Sequence, residues 1–370
     1  MRVVVGMSGG VDSSVAALLL QRAGHEVIGM FMQNWEDEDP DAVCRADEDR
    51  KDALDVCARL GIAFHARNFA HEYRERVFAH FLDEYRLGRT PNPDVLCNRE
   101  IKFRSFLDAA RGLGADKIAT GHYARIERID GCCKLLRAAD TAKDQTYFLH
   151  TLDQSQLGAT LFPLGELRKG EVRVLAREAG LPVHAKKDST GICFIGERDF
   201  RAFLSKYLPA QPGELRTPEG DLLGEHSGAM YYTPGQRAGL RIGGRAGAAS
   251  GPWYVTGKDV RANIVYVAQG AHDRWLMSQR LRARQVNWIA GTPPILPCRY
   301  AAMIRYRQSM QSCKIICLKD EIEVFFDVPQ RAVAPGQSVV FFSGDECLGG
   351  GVIEATDAPF GGLNATSVST

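Results

Sequence analysis

Long apolar runs, paired cysteine motifs and a large net charge are all missing from this 370-residue sequence. No apolar stretch approaches the length of a membrane span, so we expect no transmembrane helix. The ten cysteines include no Cys-x-x-Cys pair and have no paired histidine partners, which argues against a structural zinc site and leads us to expect no bound metal cage. The formal net charge is only +1, so the composition by itself does not indicate a nucleic-acid-binding protein.

Charge is nevertheless distributed unevenly along the chain. Residues 34–55 contain ten acidic and three basic side chains, a local charge of −7 that leaves +8 for the rest of the chain. A protein with this distribution can still bind a polyanion locally. The first predicted strand begins at about Arg2 and leaves no room for a signal or transit peptide, so we expect a cytoplasmic protein. In that reducing compartment the cysteines are expected as thiols rather than as a disulfide framework.

The N-terminal third alternates between strand patterns and helix patterns. Strands are predicted at Arg2–Gly6, Val27–Met32, Ala63–Asn68 and Lys117–Thr120. Helices are predicted near Ser13–Ala23, Ala46–Leu60, Tyr73–Tyr85, Ile101–Leu113, Gln154–Thr160 and Arg168–Ala179. Continuous apolar strands interleaved with helices predict a parallel α/β sheet covered on both faces, with ligands at the carboxyl ends of the strands.

After about residue 202 the pattern changes to short strands with frequent glycine and proline, which is typical of β-rich modules. We therefore divide the chain into four parts. They are an α/β domain over 1–201, a central β-rich linker domain over 202–275, a C-terminal β-barrel domain over 276–358 and a disordered polar tail over 359–370.

The loop after the first strand reads GMSGGVDS and contains no lysine. It therefore fails the G-x-x-x-x-G-K-[ST] template, and it fails G-x-G-x-x-G because Gly9 and Gly10 are adjacent. Adjacent glycines before a helix N-terminus allow the backbone to curl around an anion, with serine hydroxyls as further donors. Asp12 is unusual beside phosphate unless it holds Mg²⁺ or caps the helix. A plain capped strand-to-helix turn is the alternative.

Two cysteines lie in unusual sequence surroundings. Cys97 lies in GRTPNPDVLCNREIKF at the start of a predicted helix, where the helix N-terminus and the nearby Arg99 and Lys102 favour a thiolate. Asp94 lies three residues earlier and is a candidate general acid or base, or else an N-cap. Cys193 lies in DSTGICFIGERDF, where two glycines predict a tight loop that can move. Inert packing is the alternative for both thiols.

Ten segments carry a family resemblance, and they follow one another over residues 1 to 353. They are GMSGGVDSSVAALLL, FMQNWEDED, GRTPNPDVLCNREIKF, ATGHYARI, KDQTYFLH, DSTGICFIGERDF, TPGQRAGLRIGG, PWYVTGKD, IRYRQ and PGQSVVFF. In this order they resemble the tRNA-specific 2-thiouridylase family. The loop SGGVDS is also similar to the pyrophosphate-binding loop of the N-type ATP pyrophosphatases, so the first domain is expected to be an adenine nucleotide α-hydrolase-like, Rossmann-like catalytic domain.

The resemblance implies replacement of the 2-oxygen of the tRNA wobble uridine by sulfur. The implied route is adenylation of O2 followed by sulfur transfer from a cysteine persulfide, with release of AMP and pyrophosphate. ATP with Mg²⁺ is the implied cosubstrate. The implied partners are the tRNAs for Lys, Glu and Gln and a sulfur-carrier protein that donates a persulfide, and no membrane.

The resemblance also assigns roles to individual residues. Cys97 is the implied nucleophile, Cys193 the implied persulfide carrier and Asp94 an implied acid–base group, and turnover leaves a Cys97–Cys193 disulfide. The implied ATP contacts are Gly6, Met7, Ser8, Gly9, Gly10, Val11, Asp12, Ser13, Met32 and Gly121. The implied tRNA contacts are Asn92, Pro93, Asp94, His122, Lys143, Asp144, Gln145, Arg305, Tyr306 and Gln337.

Several of these residues have simpler alternative roles. His122 caps a strand end in one interpretation, and Lys143 with Asp144 forms an ordinary surface pair in another. The segment Arg305–Arg307 alternates as a strand does, with its two arginines either in solvent or on a phosphate. The alternative functions are a different substrate for the same loop, as in argininosuccinate synthetase-like or amidotransferase-like proteins, and a tRNA-binding module without catalysis. The surroundings of the two cysteines disfavour both.

Overall fold

The structure, a computed structural model, describes residues 1–36, 45–187, 199–243, 251–295, 298–318 and 321–363. Its helices are α1 Val11–Arg22, α2 Arg45–Leu60, α3 Ala70–Tyr73, α4 Ala79–Arg86, α5 Pro93–Leu96, α6 Phe106–Gly112, α7 Thr146–Leu149, α8 Gln154–Gly158, α9 Lys169–Glu178 and α10 Phe200–Ser205. The π-helical segments Arg74–Phe78 and Cys97–Ser105 join α3 to α4 and α5 to α6. Among the described residues, no helix combines the length and the apolar character needed to cross a membrane.

The strands of the described residues form three sheets. The first contains β1 Arg2–Met7, β2 Glu26–Gln33, β3 Ala63–Asn68, β4 Lys117–Ala119 and β7 Thr160–Leu161. The second contains β8 Gly213–Arg216, β9 Leu222–His226, β10 Trp253–Asp259 and β11 Ile264–Gln269. The third contains β5 Arg125–Ile129, β6 Cys132–Leu136, β12 Met277–Trp288, β13 Cys298–Met303, β14 Gln311–Leu318, β15 Glu321–Arg331, β16 Ser338–Ser343 and β17 Glu346–Thr356.

The first sheet is wholly parallel, with strand order β3-β2-β1-β4-β7, and it confirms the predicted α/β class. Helices cover both faces of β1, because Val4 belongs to one buried cluster while Val3 and Val5 belong to another. The chain order reverses between β1 and β4. The carboxyl ends of these two strands therefore form the crevice in which such sheets bind ligands.

The C-terminal part contains the predicted barrel. Strand β12 pairs with β15 on one side and with β17 on the other, and this double pairing closes six strands, β12 to β17, around one core. Alternate side chains such as Ile315, Val324 and Phe341 fill that core with no exposed surface. Closure leaves these six strands without an open edge among themselves.

The hairpin β5–β6 is attached to this barrel rather than to the parallel sheet that precedes and follows it in the chain. Strand β6 pairs antiparallel with β17, with Leu135 opposite Cys347. The two small strands therefore connect the α/β part to the barrel. The division of the chain into consecutive domains placed them in the α/β domain over 1–201 and did not predict this pairing.

The first residues of the tail are ordered, so the expectation of a disordered tail is wrong as far as Leu363. Phe360 stacks on Tyr266 at 4.3 Å and on Trp275 at 5.3 Å between ring centroids. The Leu363 N–H donates to the Thr356 carbonyl. One aromatic side chain thus anchors a segment whose small polar residues alone predict disorder, and residues 364–370 lie outside the described residues.

Candidate active site

The lysine-free loop, residues 6–13, occupies the carboxyl end of β1, and we call it the nucleotide loop. Gly10 precedes α1 in an extended conformation, and no side chain caps the helix. The Ser13 hydroxyl accepts from the Ser8 N–H at 3.2 Å and lies 3.2 Å from the Gly10 carbonyl. The loop is therefore preformed by its own serines, and the first N–H groups of α1 lack a side-chain cap, as an anion-binding helix start requires.

Two glycines are required by close contacts around the nucleotide loop. Gly9 has φ +70°, and a Cβ there would lie 2.8 Å from the Asp49 Cα of α2. At Gly121, just after β4, a Cβ would lie 2.6 Å from the Ser13 nitrogen and 2.8 Å from the Asp12 carbonyl carbon. Gly121 therefore brings the β4 end directly against the start of α1, at the crevice between β1 and β4.

A lysine from a distant part of the chain reaches this loop. The Lys169 ammonium donates to both carboxylate oxygens of Asp12 at 2.8 Å, and the Tyr123 hydroxyl donates to Asp12 Oδ1 at 2.8 Å. Sequence reasoning missed Lys169. The signal that could have found it is its position as the first residue of α9, where the helix dipole disfavours a cation.

Met32 lies at the carboxyl end of β2, next to the nucleotide loop. Its terminal methyl would be 3.0 Å from a Cβ added to Gly6, and its side chain is half-buried. Its contact with adenine stays a prediction. Among the described residues, no group of three or more His, Cys, Asp or Glu side chains could hold a metal ion.

The segment that carries Cys97 is helical from Pro93 onward, so the predicted helix start at Ile101 is wrong. Asn92 is the N-cap and accepts from the Asp94 N–H at 3.2 Å, while Pro93 occupies the first helical position. Cys97 consequently lies beyond the first turn and is 5% exposed. The helix dipole acts mainly within the first turn, so the expected electrostatic activation of Cys97 by the helix N-terminus is weaker than the sequence suggested.

Asp94 lies in the first turn of the Cys97 helix, and its surroundings alter the pKa of its carboxyl group. Solvent reaches this side chain, but surrounding protein atoms displace much of its water, and this desolvation raises the pKa of Asp94 while the charge of Lys102 lowers it. Burial also holds the pKa of His122 well below its usual value, and Lys102 acts in the same direction. The charge of Lys102, on the Cys97 helix, therefore acts on both Asp94 and His122.

His122 connects the two halves of the site. It is 8% exposed, its Nδ1 lies 2.7 Å from the Thr120 hydroxyl, and its ring lies 5.7 Å from that of Phe103 on the Cys97 helix. The bond to Thr120 at the end of β4 matches the capping interpretation. Contact of His122 with tRNA stays a prediction.

Cys193 lies outside the described residues, but the residues on either side of its segment do not. Before it, Lys186 binds Asp49 at 2.7 Å, the residue whose backbone lies against Gly9. After it, α10 packs through Phe203 into the buried cluster that also contains Cys97. The described residues that flank positions 188–198 therefore include Lys186, which binds beside the nucleotide loop, and Phe203, which belongs to the same large buried cluster as Cys97. Much of the acidic run Glu36–Asp41 also lies outside the described residues.

The predicted tRNA residues after β6 are partly structural. Asp144 is 7% exposed and accepts from the Ala138 N–H at 2.9 Å and the Thr146 hydroxyl at 2.7 Å. Gln145 accepts from the Tyr123 N–H at 3.0 Å, which ties it to the ring that binds Asp12. Lys143 is half-buried.

The predicted tRNA residues of the barrel lie at its contact with the other two parts. Arg305 donates to the Pro234 carbonyl at 3.0 Å and to the Ala332 carbonyl at 2.5 Å. Burial lowers the pKa of Arg305, the Arg331 charge lowers it further, and Tyr147 opposes both effects. The ring of Tyr306 lies 4.4 Å from that of Phe148.

The expected strand over Arg305–Arg307 is wrong. Strand β13 ends at Met303, and a turn follows in which Arg307 has φ +64°. Gln337, the residue before the barrel strand β16, donates to the Thr90 carbonyl at 2.8 Å. This bond links the barrel to the loop that leads into Asn92 and Asp94.

Family models match three consecutive stretches of the chain. A "tRNA methyl transferase HUP domain" model matches residues 1–197, a "tRNA methyl transferase PRC-barrel domain" model residues 201–269, and an "Aminomethyltransferase beta-barrel domain" model residues 278–353.

Relatives match over almost the whole chain. A tRNA-specific 2-thiouridylase of Nitrosococcus oceani is 58% identical over 96% of this chain and 98% of its own length. A tRNA-specific 2-thiouridylase of Xanthomonas campestris pv. campestris is 58% identical over 97% of this chain and 95% of its own length. A solved 4-thiouridine synthetase–RNA complex with bound ATP is only 18% identical, with TM-score 0.34, over 55% of this chain and 49% of that one.

Proposed function

Because the chain belongs to the tRNA-specific 2-thiouridylase family, we propose that it replaces the 2-oxygen of the tRNA wobble uridine with sulfur in an ATP-dependent reaction. One observation carries the proposal. Gly121 lies against Ser13 of the nucleotide loop, and the ring of the next residue, His122, lies beside the ring of Phe103 on the Cys97 helix. A nucleotide on the loop and a base beside Cys97 would therefore share one crevice.

The first chemical step activates the uracil oxygen. O2 attacks the α-phosphorus of ATP, the bond from that phosphorus to the bridging oxygen breaks, and pyrophosphate leaves while the base loses its N3 proton. The N–H groups at the start of α1 and the loop serines would hold the phosphates. An Mg²⁺ ion that arrives with ATP would take most of its ligands from phosphate and water, and Asp12 could supply one carboxylate oxygen once the Lys169 ammonium has left it for the phosphates. The protein's main task in this step is positioning.

The second step forms the carbon–sulfur bond. In one route the terminal sulfur of a Cys193 persulfide attacks C2, the C2–O bond breaks and AMP leaves. Cys97 then attacks the Cys193 sulfur, which releases the thiouridine and forms the Cys97–Cys193 disulfide. In the other route Cys97 attacks the persulfide first, and the released sulfide attacks C2. Both routes leave a disulfide, which a thiol reductant must reduce before a sulfur-carrier protein reloads Cys193.

The surroundings of the two thiols support these roles. Cys97 lies on a helix whose first turn presents Asp94, and the raised pKa of Asp94 suits a group that takes up and returns the base proton. Of the described residues that flank the segment of Cys193, Lys186 binds Asp49 beside Gly9, and Phe203 belongs to the buried cluster that contains Cys97. A disulfide requires Cα atoms within about 7 Å, so that segment has to bring Cys193 to Cys97 during turnover.

Recognition of tRNA would use the same crevice and the barrel. The wobble base must leave the anticodon stack, at a cost of a few kcal/mol, to reach Asn92, Pro93 and Asp94. The surrounding anticodon arm would be bound by the remaining predicted contacts, which are His122, Lys143–Gln145, Arg305, Tyr306 and Gln337. The substrates are then the tRNAs for Lys, Glu and Gln.

Mass spectrometry of bulk tRNA tests the function directly. A strain that lacks this gene should lose wobble 2-thiouridine, and the wild-type gene should restore a mass increase that matches exchange of oxygen for sulfur. Addition of a methyl group instead would support the chemistry that two family models name and contradict ours.

Cysteine variants test the mechanism. Cys193→Ser should still release pyrophosphate when tRNA and ATP are supplied, yet form no thiouridine. Cys132→Ser is the matched control, because Cys132 is an exposed thiol on the β5–β6 hairpin, and it should thiolate normally. Normal thiouridine formation by Cys193→Ser would contradict the persulfide role.

A further inference from the structure

The nucleotide loop has no positive side chain of its own. No lysine occurs between Met1 and Leu20, and Arg2 at the start of β1 binds Glu26. The N-terminus of α1 contributes only about half a unit charge, whereas pyrophosphate carries several negative charges. Phosphate loops of other nucleotide-binding proteins place a lysine against the terminal phosphates. The missing charge has to come from another part of the chain or from solvent ions.

Lys169 is placed where such a charge is needed. Its ammonium lies 2.8 Å from both oxygens of Asp12, the second residue of α1. It is only 13% exposed and lies 6.0 Å from the centroid of the Tyr123 ring. Its backbone N–H donates to Asp140 Oδ2 at 2.9 Å, so the chain at the start of α9 is held as well.

A purely structural role explains this placement poorly. Helix α9 already packs into the same buried cluster as α1 through Val172 and Ala176, both with no exposed surface. That apolar contact stabilises the docking of the helix without an ion pair. The first position of a helix also disfavours a cation, so the lysine gains nothing from its own helix.

We propose that Lys169 is a phosphate-binding residue that contacts the β- and γ-phosphates of ATP and then the leaving pyrophosphate. Asp12 and Tyr123 hold the ammonium beside the N-terminus of α1 before the nucleotide arrives. The inference rests on the proposed use of ATP, and it assigns to α9 the charge that the nucleotide loop lacks.

Calorimetric titration of the full-length protein with ATP, pyrophosphate and adenosine tests the proposal. Lys169→Met keeps the aliphatic stem and removes the charge. It should bind ATP and pyrophosphate about ten- to hundredfold more weakly, as expected for the loss of a charged hydrogen bond, and adenosine within about twofold of wild type. Lys169→Arg should recover most of the loss.

Lys134→Ala is the matched control, because Lys134 on strand β6 forms a lysine–carboxylate pair at 2.9 Å with Glu346 on the barrel strand β17. It should bind all three ligands normally. Unchanged ATP affinity in Lys169→Met, or an equal loss for ATP and adenosine, would overturn the inference. Failure of the wild-type protein to thiolate tRNA despite normal binding of ATP and pyrophosphate would instead contradict the proposed function and leave the role of Lys169 standing.

Discussion

Replacement of Gly121 by alanine adds one methyl group at the tightest contact of the proposed nucleotide site. The new Cβ would lie 2.6 Å from the Ser13 nitrogen and 2.8 Å from the Asp12 carbonyl carbon, both backbone atoms that cannot rotate away. Restoring a normal contact distance moves the start of α1 by about 1 Å. Overpacking of this kind costs about 1–3 kcal/mol of stability, and each kcal/mol lowers Tm by about 2–4 °C in a domain of this size.

The effect on catalysis should exceed the effect on stability. A displacement of about 1 Å at a positioning element can reduce the rate about 100-fold, so tRNA-dependent pyrophosphate release by Gly121→Ala should fall by about two orders of magnitude at temperatures where the protein remains folded. Gly112→Ala is the control, because nothing lies within 4 Å of a Cβ at Gly112, at the end of α6. If Gly121→Ala released pyrophosphate at the wild-type rate, the close contact between Gly121 and α1 would have no part in nucleotide use.

Three further changes probe the rest of the molecule. Gln337→Ala removes the bond to the Thr90 carbonyl and should lower single-turnover thiolation about tenfold with ATP affinity unchanged; a wild-type rate would contradict this. Burial lowers the pKa of Lys258 from its ordinary value of 10.5 to about 7. At pH values between these two, the unfolded state therefore binds more protons than the folded state, and the free energy of unfolding should rise with pH from 7 to 9. Lys258→Met should reduce this rise in urea titrations, and equal slopes would refute the assignment. Phe360→Ala should cost about 1–3 kcal/mol in urea unfolding through loss of its two stacking contacts, whereas alanine at Val328, 63% exposed, should have little effect; equal costs would argue against anchoring of the tail.

The parallel sheet was predictable because its signals are local. The runs that became β1 and β2 are continuous and apolar, and the glycine-rich turn after β1 leads at once into a helix pattern. Two parallel strands are joined by a crossover, which is usually a helix. A strand–helix–strand unit can therefore be predicted from consecutive residues without knowledge of long-range contacts. The predicted and observed limits of these strands consequently differ by only one residue.

The start of the Cys97 helix was missed for an equally local reason. Pro91 and Pro93 both precede the predicted start at Ile101, and proline is disfavoured in the interior of a helix. Pro93 is instead compatible with the first helical position, because its missing N–H would have no partner there, and Asn92 supplies the cap. The pattern Asn-Pro-Asp was therefore sufficient to place the helix start eight residues earlier than Ile101.

The contact between Lys169 and Asp12 could not be predicted from local pattern. The two residues are 157 positions apart, and their meeting depends on how α9 packs against α1. Arg305 illustrates the same limit. The sequence shows an arginine in a basic run, but the fold turns its guanidinium toward two backbone carbonyls of neighbouring segments.

The barrel contacts the segment that leads into the Cys97 helix at Thr90. A Cβ at Gly336, which has φ +92°, would lie within 2.9 Å of three backbone atoms of Thr90, so the two chains are in direct backbone contact. The Thr90 N–H donates to the Pro335 carbonyl at 2.8 Å, and Gln337 donates to the Thr90 carbonyl at 2.8 Å. Thr90 is therefore held through both of its backbone polar groups, two residues before the cap of the Cys97 helix. A displacement of the barrel at this contact would therefore shift the backbone two residues before that cap. If RNA binds the barrel as proposed above, this contact is the route by which binding would act on Asp94 and Cys97.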